Sequence, residues 1–175
     1  MVSAQGATPW RLSAPESFVL LNGPAASGAE AFKLGVLELV TRNAANIANV
    51  EERGMLGRRK RTAVLVERSG GALPDGRAPR SIWDLYQQQS QRTFKDGTVG
   101  VPVADLAQAA GRRYKAIGRY VEQDVLPSLI DQGLYVREER RTLGIFRSTR
   151  YTLTPEGEAA RADLAARIEL AEREF

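Results

Sequence analysis

The clearest helical period in the chain follows Ser27. Phe32, Val36, Leu39 and Val40 recur three or four residues apart, and Leu34 and Leu37 widen the apolar face, which predicts a largely buried helix. Ser27-Gly28-Ala29-Glu30 marks its start, because a serine hydroxyl can accept the N–H three residues on while the glutamate reaches back. Beyond Asn43 the period shortens towards two. Residues 46–52 and 62–67 then read as strands of a hairpin, joined across 53–61 by glycines suited to a turn. The stretch 69–80, SGGALPDGRAPR, is broken by glycine and proline throughout and predicts an exposed linker.

A second unit opens at Ser81-Ile82-Trp83-Asp84, a further capping signal, with a helix to about Gln91, a glycine-bearing turn and a short helix over 103–110. Helical character continues over 112–132. Pro127 interrupts it by lacking a donor, and Gly133 supplies a left-handed stop. Strands are expected at 134–138 and 150–153. Thr154-Pro155 caps and starts a last helix with Leu164 and Ile168 on one face. The predicted organisation is a flexible tail over 1–17, a helix-plus-hairpin unit over 18–68, the linker 69–80, and a second unit over 81–175.

The two units share an order. Glu51-Glu52-Arg53-Gly54-Met55-Leu56-Gly57 corresponds to Glu138-Glu139-Arg140-Arg141-Thr142-Leu143-Gly144 at a constant offset of 87. Helix, helix, strand, hairpin, strand is also the order of a winged helix, with 103–133 in the place of its helix-turn-helix and 151–157 as the exit from the wing. The expected fold class is therefore mixed α+β, mostly helical with short β-hairpins, as two tandem winged-helix-like units packed together.

Composition narrows the chemistry. The 175 residues contain no cysteine and no histidine, which removes disulfides, thiol nucleophiles, imidazole bases and the commonest transition-metal ligands. Neighbouring glutamates on a strand face opposite sides and do not converge on one bond. Ser69-Gly70-Gly71 lacks the neighbours of a phosphate-binding loop. Neither enzyme activity, cofactor nor metal is expected. The N-terminus has no signal-peptide pattern, and the apolar runs Phe18-Val19-Leu20-Leu21 and Ala63-Val64-Leu65-Val66 fall far short of the ~20 residues that span a bilayer. The chain reads as cytoplasmic, with membrane contact only at the periphery.

Net charge is +4, unevenly placed. Residues 51–61 and 137–150 each carry five basic side chains against two glutamates, a balance of +3 apiece, so the remainder is −2. Apolar residues sit among these cations: Met55 and Leu56 in the first turn, Leu143, Ile145 and Phe146 at or near the second. Pointing outward, they suit an interfacial anchor; folded back, they belong to the core. Tyr114, Tyr120, Arg112, Arg113 and Arg119 fit either a recognition helix or ordinary packing, and Trp10 and Trp83 read as core or docking residues.

Residues 129–151, LIDQGLYVREERRTLGIFRSTRY, resemble the C-terminal hairpin of the Golgi phosphoprotein 3 family, including its bacterial members. Leu37-Glu38-Leu39-Val40 through Gly54-Met55-Leu56-Gly57-Arg58-Arg59-Lys60 is similar to that family's first helix and hairpin, and the likeness spans 18–165. It implies a peripheral membrane protein that reads an anionic phosphoinositide headgroup through a basic pocket, with an apolar hairpin against membrane or another subunit. One pocket arginine of the family falls on Arg119. The next falls on Glu122, and the family's tryptophan and arginine have no counterpart near 28–31.

These readings converge on a non-enzymatic adaptor. Its anionic ligand is expected at Arg58, Arg59, Lys60, Arg61, Arg119, Arg140, Arg141, Arg147 and Arg150, and its apolar contacts at Met55, Leu56, Leu143, Ile145 and Phe146. The expected partners are an anionic lipid surface or a membrane-associated protein, and a second copy through the second hairpin. The alternatives are a tandem winged-helix transcriptional regulator that binds DNA and a protein-interaction scaffold.

Overall fold

In the computed structural model, which describes residues 10–53, 59–72, 74–142 and 146–174, the first helix begins inside the stretch expected to be a tail. Helix α1 (Ala14–Asn22) is capped by Ser13, whose hydroxyl and backbone exchange hydrogen bonds with Glu16, and it buries Pro15, Glu16, Val19 and Leu20. Helix α2 (Gly28–Thr41) starts at Ser27 as its sequence indicates, the Ser27 hydroxyl accepting the Glu30 N–H at 3.4 Å. Asn43, at φ 57°, turns the chain into β1 (Ala45–Arg53), which pairs antiparallel with β2 (Arg59–Glu67).

Helix α3 (Arg77–Gln87) likewise reaches back into the expected linker. Pro79 is no obstacle there, because a first-turn residue has no helical partner for its N–H. The turn expected after it contains a small hairpin, β3 (Arg92–Thr93) and β4 (Val99–Pro102). Strand β4 also pairs with β2, at Val64↔Pro102 and Leu65↔Val101, so the sheet order is β1-β2-β4-β3. Gly100 permits this approach: a Cβ there would lie 2.3 Å from the Leu65 carbonyl oxygen.

Helix α4 (Val103–Arg113) ends in a turn where Lys115 takes φ 61°, so the helical stretch expected over 112–132 is broken before Arg119. Val121–Val125 form a π-helical turn that runs into α5 (Leu126–Asp131). Pro127 cannot serve the Gln123 carbonyl, and an Arg77 Nη2 donor takes that place at 3.1 Å. Gly133 stops the helix at φ 74°. Strands β5 (Tyr135–Thr142) and β6 (Phe146–Leu153) then form a separate two-stranded ribbon, followed by α6 (Pro155–Arg173) capped by Thr154.

The architecture is mixed α+β. One apolar core joins Leu20 of α1, Leu39 of α2, Ile82 and Tyr86 of α3, Leu106 of α4, Leu129 of α5 and Tyr135 at the root of β5. Val50, Val64 and Phe94 form a small second cluster under the four-stranded sheet. A pair of tandem winged helices does not follow from this topology, because β4 belongs to the sheet of the first hairpin and not to β5–β6. Tyr114 and Tyr120 are core residues, edge-on with ring centroids 5.5 Å apart, so of the two readings open to them they follow ordinary packing. Trp83 is buried and stacked on Tyr86, while Trp10 is half-buried against the same core. Among the described residues, no helix is long and apolar enough to cross a membrane.

Candidate functional site

The internal repeat holds on the outgoing strands, whereas the return strands pair two residues out of step with the offset of 87. Glu51 lies opposite Arg61 and Glu52 opposite Lys60 in the first hairpin; Glu138 lies opposite Arg150 and Glu139 opposite Thr149 in the second. In the first hairpin the neighbouring glutamates find different partners. Glu51 lies 3.7 Å from Arg59 and 3.9 Å from Arg61, whereas Glu52 accepts from Thr62 at 2.9 Å and Arg92 at 3.0 Å. They face opposite sides of the sheet, as strand geometry requires. The exposed cations Arg59 and Arg61 are thus partly neutralised within their own hairpin, and Lys60 is exposed beside them.

The second hairpin is not part of that four-stranded sheet. It is a two-stranded arm, and beyond the pair of Arg137 with the half-buried Tyr151 its described side chains are exposed: Glu138 and Glu139 on β5, Ser148, Thr149 and Arg150 on β6. Strand register sets Arg140 opposite Ser148, Arg141 opposite Arg147, and Thr142 opposite Phe146. Of the residues expected to bind, Met55, Leu56, Arg58, Leu143 and Ile145 lie outside the described residues, and Arg140, Arg141, Arg147 and Phe146 are placed by backbone position alone.

Arg119 stands apart from the strands and lies at the root of this arm. It shares a cleft of about 530 Å³ with Glu122, Gln123, Pro127, Arg137 and Tyr151. Arg137 and Tyr151 are register partners on β5 and β6, which brings both into the cleft. A second hollow of about 540 Å³ shares Glu122 and Tyr151 and is walled mainly by small and apolar residues, among them Ala25, Ala29, Ile117, Val121 and Leu126. Gly28 sets its floor: a Cβ there would lie 2.5 Å from the Ile117 carbonyl oxygen, so α2 starts in contact with the turn before Arg119. The result is an amphipathic groove, apolar beside α2 and polar at the arm.

Its electrostatics are mixed. Burial pushes the Tyr151 hydroxyl above its ordinary range; Arg137 offsets part of that rise and Glu122 adds to it. Arg137 is paired with Glu139 at 2.8 Å. Arg119 and Glu122 are both exposed and one helical turn apart, yet no ion pair within 4.0 Å joins them. Arg119 stood in the sequence among the residues expected to meet an anionic ligand. Arg137 was legible only as one of five cations in its segment, and Tyr151 only as part of the strand's exit; cross-strand register is the signal that unites them with Arg119.

A larger hollow of about 710 Å³ lies between the N-terminal segment, α2 and α5, with Arg11, Arg42 and Arg77 in its lining. It also contains Glu16, Asp75 and Asp131, and two of its arginines are engaged: Arg42 with Glu38 at 2.7 Å, Arg77 with Asp124 at 3.4 Å. Among the described residues no group of three or more acidic side chains could hold a metal ion. No protein-family model matches this chain, and no curated protein matches it.

Proposed function

We propose that this protein is a non-enzymatic peripheral adaptor that engages the headgroup layer of an anionic membrane through the β5–β6 arm and the groove at its root. The arm carries this reading: a two-stranded ribbon whose described side chains beyond the Arg137↔Tyr151 pair are all exposed, with arginine at positions 137, 140, 141, 147 and 150. Near an anionic surface each basic side chain contributes about 1 kcal/mol, and apolar side chains at the turn add buried area. Leu143 and Ile145 stand at that turn in the sequence. The resemblance to the Golgi phosphoprotein 3 family favours the same surface, with Arg119 as the pocket arginine that carries over.

The DNA-binding alternative draws on the order of helices before the arm. Its weakness is that the cations of the candidate recognition helix are split, Arg112 and Arg113 at the end of α4 and Arg119 beyond the Lys115 turn beside Glu122, while Tyr114 and Tyr120 lie in the core. Co-sedimentation with phosphatidylcholine vesicles, with and without phosphatidylglycerol, separates the readings when run beside a duplex mobility-shift series. The expected result is binding that requires phosphatidylglycerol and weakens as salt rises. Salt-dependent duplex binding without vesicle binding overturns the proposal, and binding to neither favours a protein partner.

A further inference from the structure

The polar end of the groove holds charges of both signs. Arg119 and Arg137 line it together with Glu122, and the Tyr151 hydroxyl and Gln123 complete its polar wall. A ligand carrying only phosphates would meet the Glu122 carboxylate unfavourably. An arginine and a glutamate three residues apart on a helix ordinarily form a solvated surface pair. Here they line one cleft with no ion pair within 4.0 Å between them, and Arg137, which keeps Glu139 at 2.8 Å, adds a second guanidinium, so the cleft offers cations and one anion to a ligand with complementary charges.

We propose that this end of the groove binds a phosphoethanolamine headgroup, its phosphate on the Arg119 and Arg137 guanidinium groups and its primary ammonium on the Glu122 carboxylate. The inference rests on the membrane-headgroup reading above and names the headgroup. Guanidinium groups pair with phosphate oxygens through charge-assisted hydrogen bonds, and a primary ammonium donates the same kind of bond to a carboxylate. A trimethylammonium group has no N–H to donate and is held instead by several aromatic faces, of which this cleft offers only Tyr151. The site therefore selects phosphoethanolamine over phosphocholine. The apolar hollow that shares Glu122 and Tyr151 gives the glycerol and first acyl carbons of a phospholipid a place beside the headgroup.

The test uses the full chain and vesicles of constant phosphatidylglycerol content, with the balance either phosphatidylcholine or phosphatidylethanolamine. The ethanolamine lipid is expected to raise affinity roughly fivefold, the order of one half-exposed ion pair. Glu122→Gln, at an exposed position, should abolish that increment and keep the phosphatidylglycerol-dependent binding; Arg119→Gln should reduce both. Equal affinity for the two vesicle types, or an increment that survives in Glu122→Gln, overturns the headgroup assignment and leaves the membrane reading standing. Failure to bind any phosphatidylglycerol vesicle overturns both. Calorimetry with soluble phosphoethanolamine separates the sources: binding of the free compound that Glu122→Gln abolishes, without a vesicle increment, assigns the same chemistry to a soluble ligand and overturns the lipid.

Discussion

Glu16 offers the sharpest test of the fold, because its sequence context marks it as part of a tail and its structural context buries it. Its side chain is 1 % exposed and accepts four hydrogen bonds. Two come from Ser13, the backbone N–H and the hydroxyl each at 2.7 Å; the others come from Gln132 Nε2 at 3.0 Å and from the Ser128 hydroxyl. Glu16→Ala removes the capping box of α1, worth about 1 kcal/mol, and leaves the buried Ser128 hydroxyl without an acceptor, at about 1–3 kcal/mol. The expected loss is therefore about 3 kcal/mol out of a total stability on the order of 5–15 kcal/mol. With a urea m-value of about 2 kcal/mol/M, the unfolding midpoint followed by circular dichroism should fall by about 1.5 M at unchanged slope. Ser128→Ala should cost less, since three donors remain on Glu16. A Glu16→Ala midpoint within about 0.3 M of the parent would refute the claim that this segment is built into the core.

Other outcomes follow from the same structure. Arg141→Gln combined with Arg147→Gln should weaken binding to anionic vesicles by about 2 kcal/mol, roughly 30-fold, with an unchanged circular dichroism spectrum; unchanged affinity would remove the arm from the proposed surface. Burial raises the hydroxyl pKa of Tyr86, Tyr114, Tyr120, Tyr135 and Tyr151 above the ordinary value of 10.0. The folded state holds these protons more tightly than the unfolded state, so stability is complete below pH 10 and falls as pH rises beyond it; as much phenolate absorbance at pH 10 in the folded chain as in the urea-unfolded chain would contradict this. Among the described residues the buried Tyr135 hydroxyl has no hydrogen-bond partner, whereas that of Tyr114 donates to Asp124 at 2.7 Å. Tyr135→Phe should leave the melting temperature equal or higher and Tyr114→Phe should lower it, by about 1–2 kcal/mol of stability. Gly157→Ala should destabilise despite the better helix propensity of alanine, because its Cβ would meet the Leu134 carbonyl oxygen at 2.1 Å; a stabilised variant would show that α6 shifts freely.

The elements legible in the sequence are those that carry their own boundary chemistry. Ser27, Gly133 and Thr154 each act locally, and each marks an element end in the structure. Helix α1 was missed because the run around Leu20 has no helical period, and its cap lies in a stretch taken for a tail. The break after α4 depends on a left-handed Lys115, a conformation no lysine advertises. Tyr120 stands just before the π-helical turn and is buried in the core. At the groove, Arg119 was legible, but Arg137 and Tyr151 join it only through the β5–β6 register, a long-range fact that residue spacing does not contain.

The repeat makes the two hairpins look equivalent, and tertiary pairing makes them different. Strand β4 pairs with β2, Phe94 packs under Val50 and Val64, and Arg92 reaches Glu52 at 3.0 Å, so the first hairpin is held in a four-stranded sheet with partners for its charges. Among the described residues no third strand joins β5–β6. A lone two-stranded ribbon is marginally stable in water, and its exposed edges invite pairing unless charge discourages it. Five arginines along the arm supply that charge, and in the proposed function an anionic surface lying against them adds stability to the ribbon. In the proposed function the first hairpin is accordingly scaffold and the second is contact, so neutralising Arg59 and Arg61 should matter less to vesicle binding than neutralising Arg141 and Arg147.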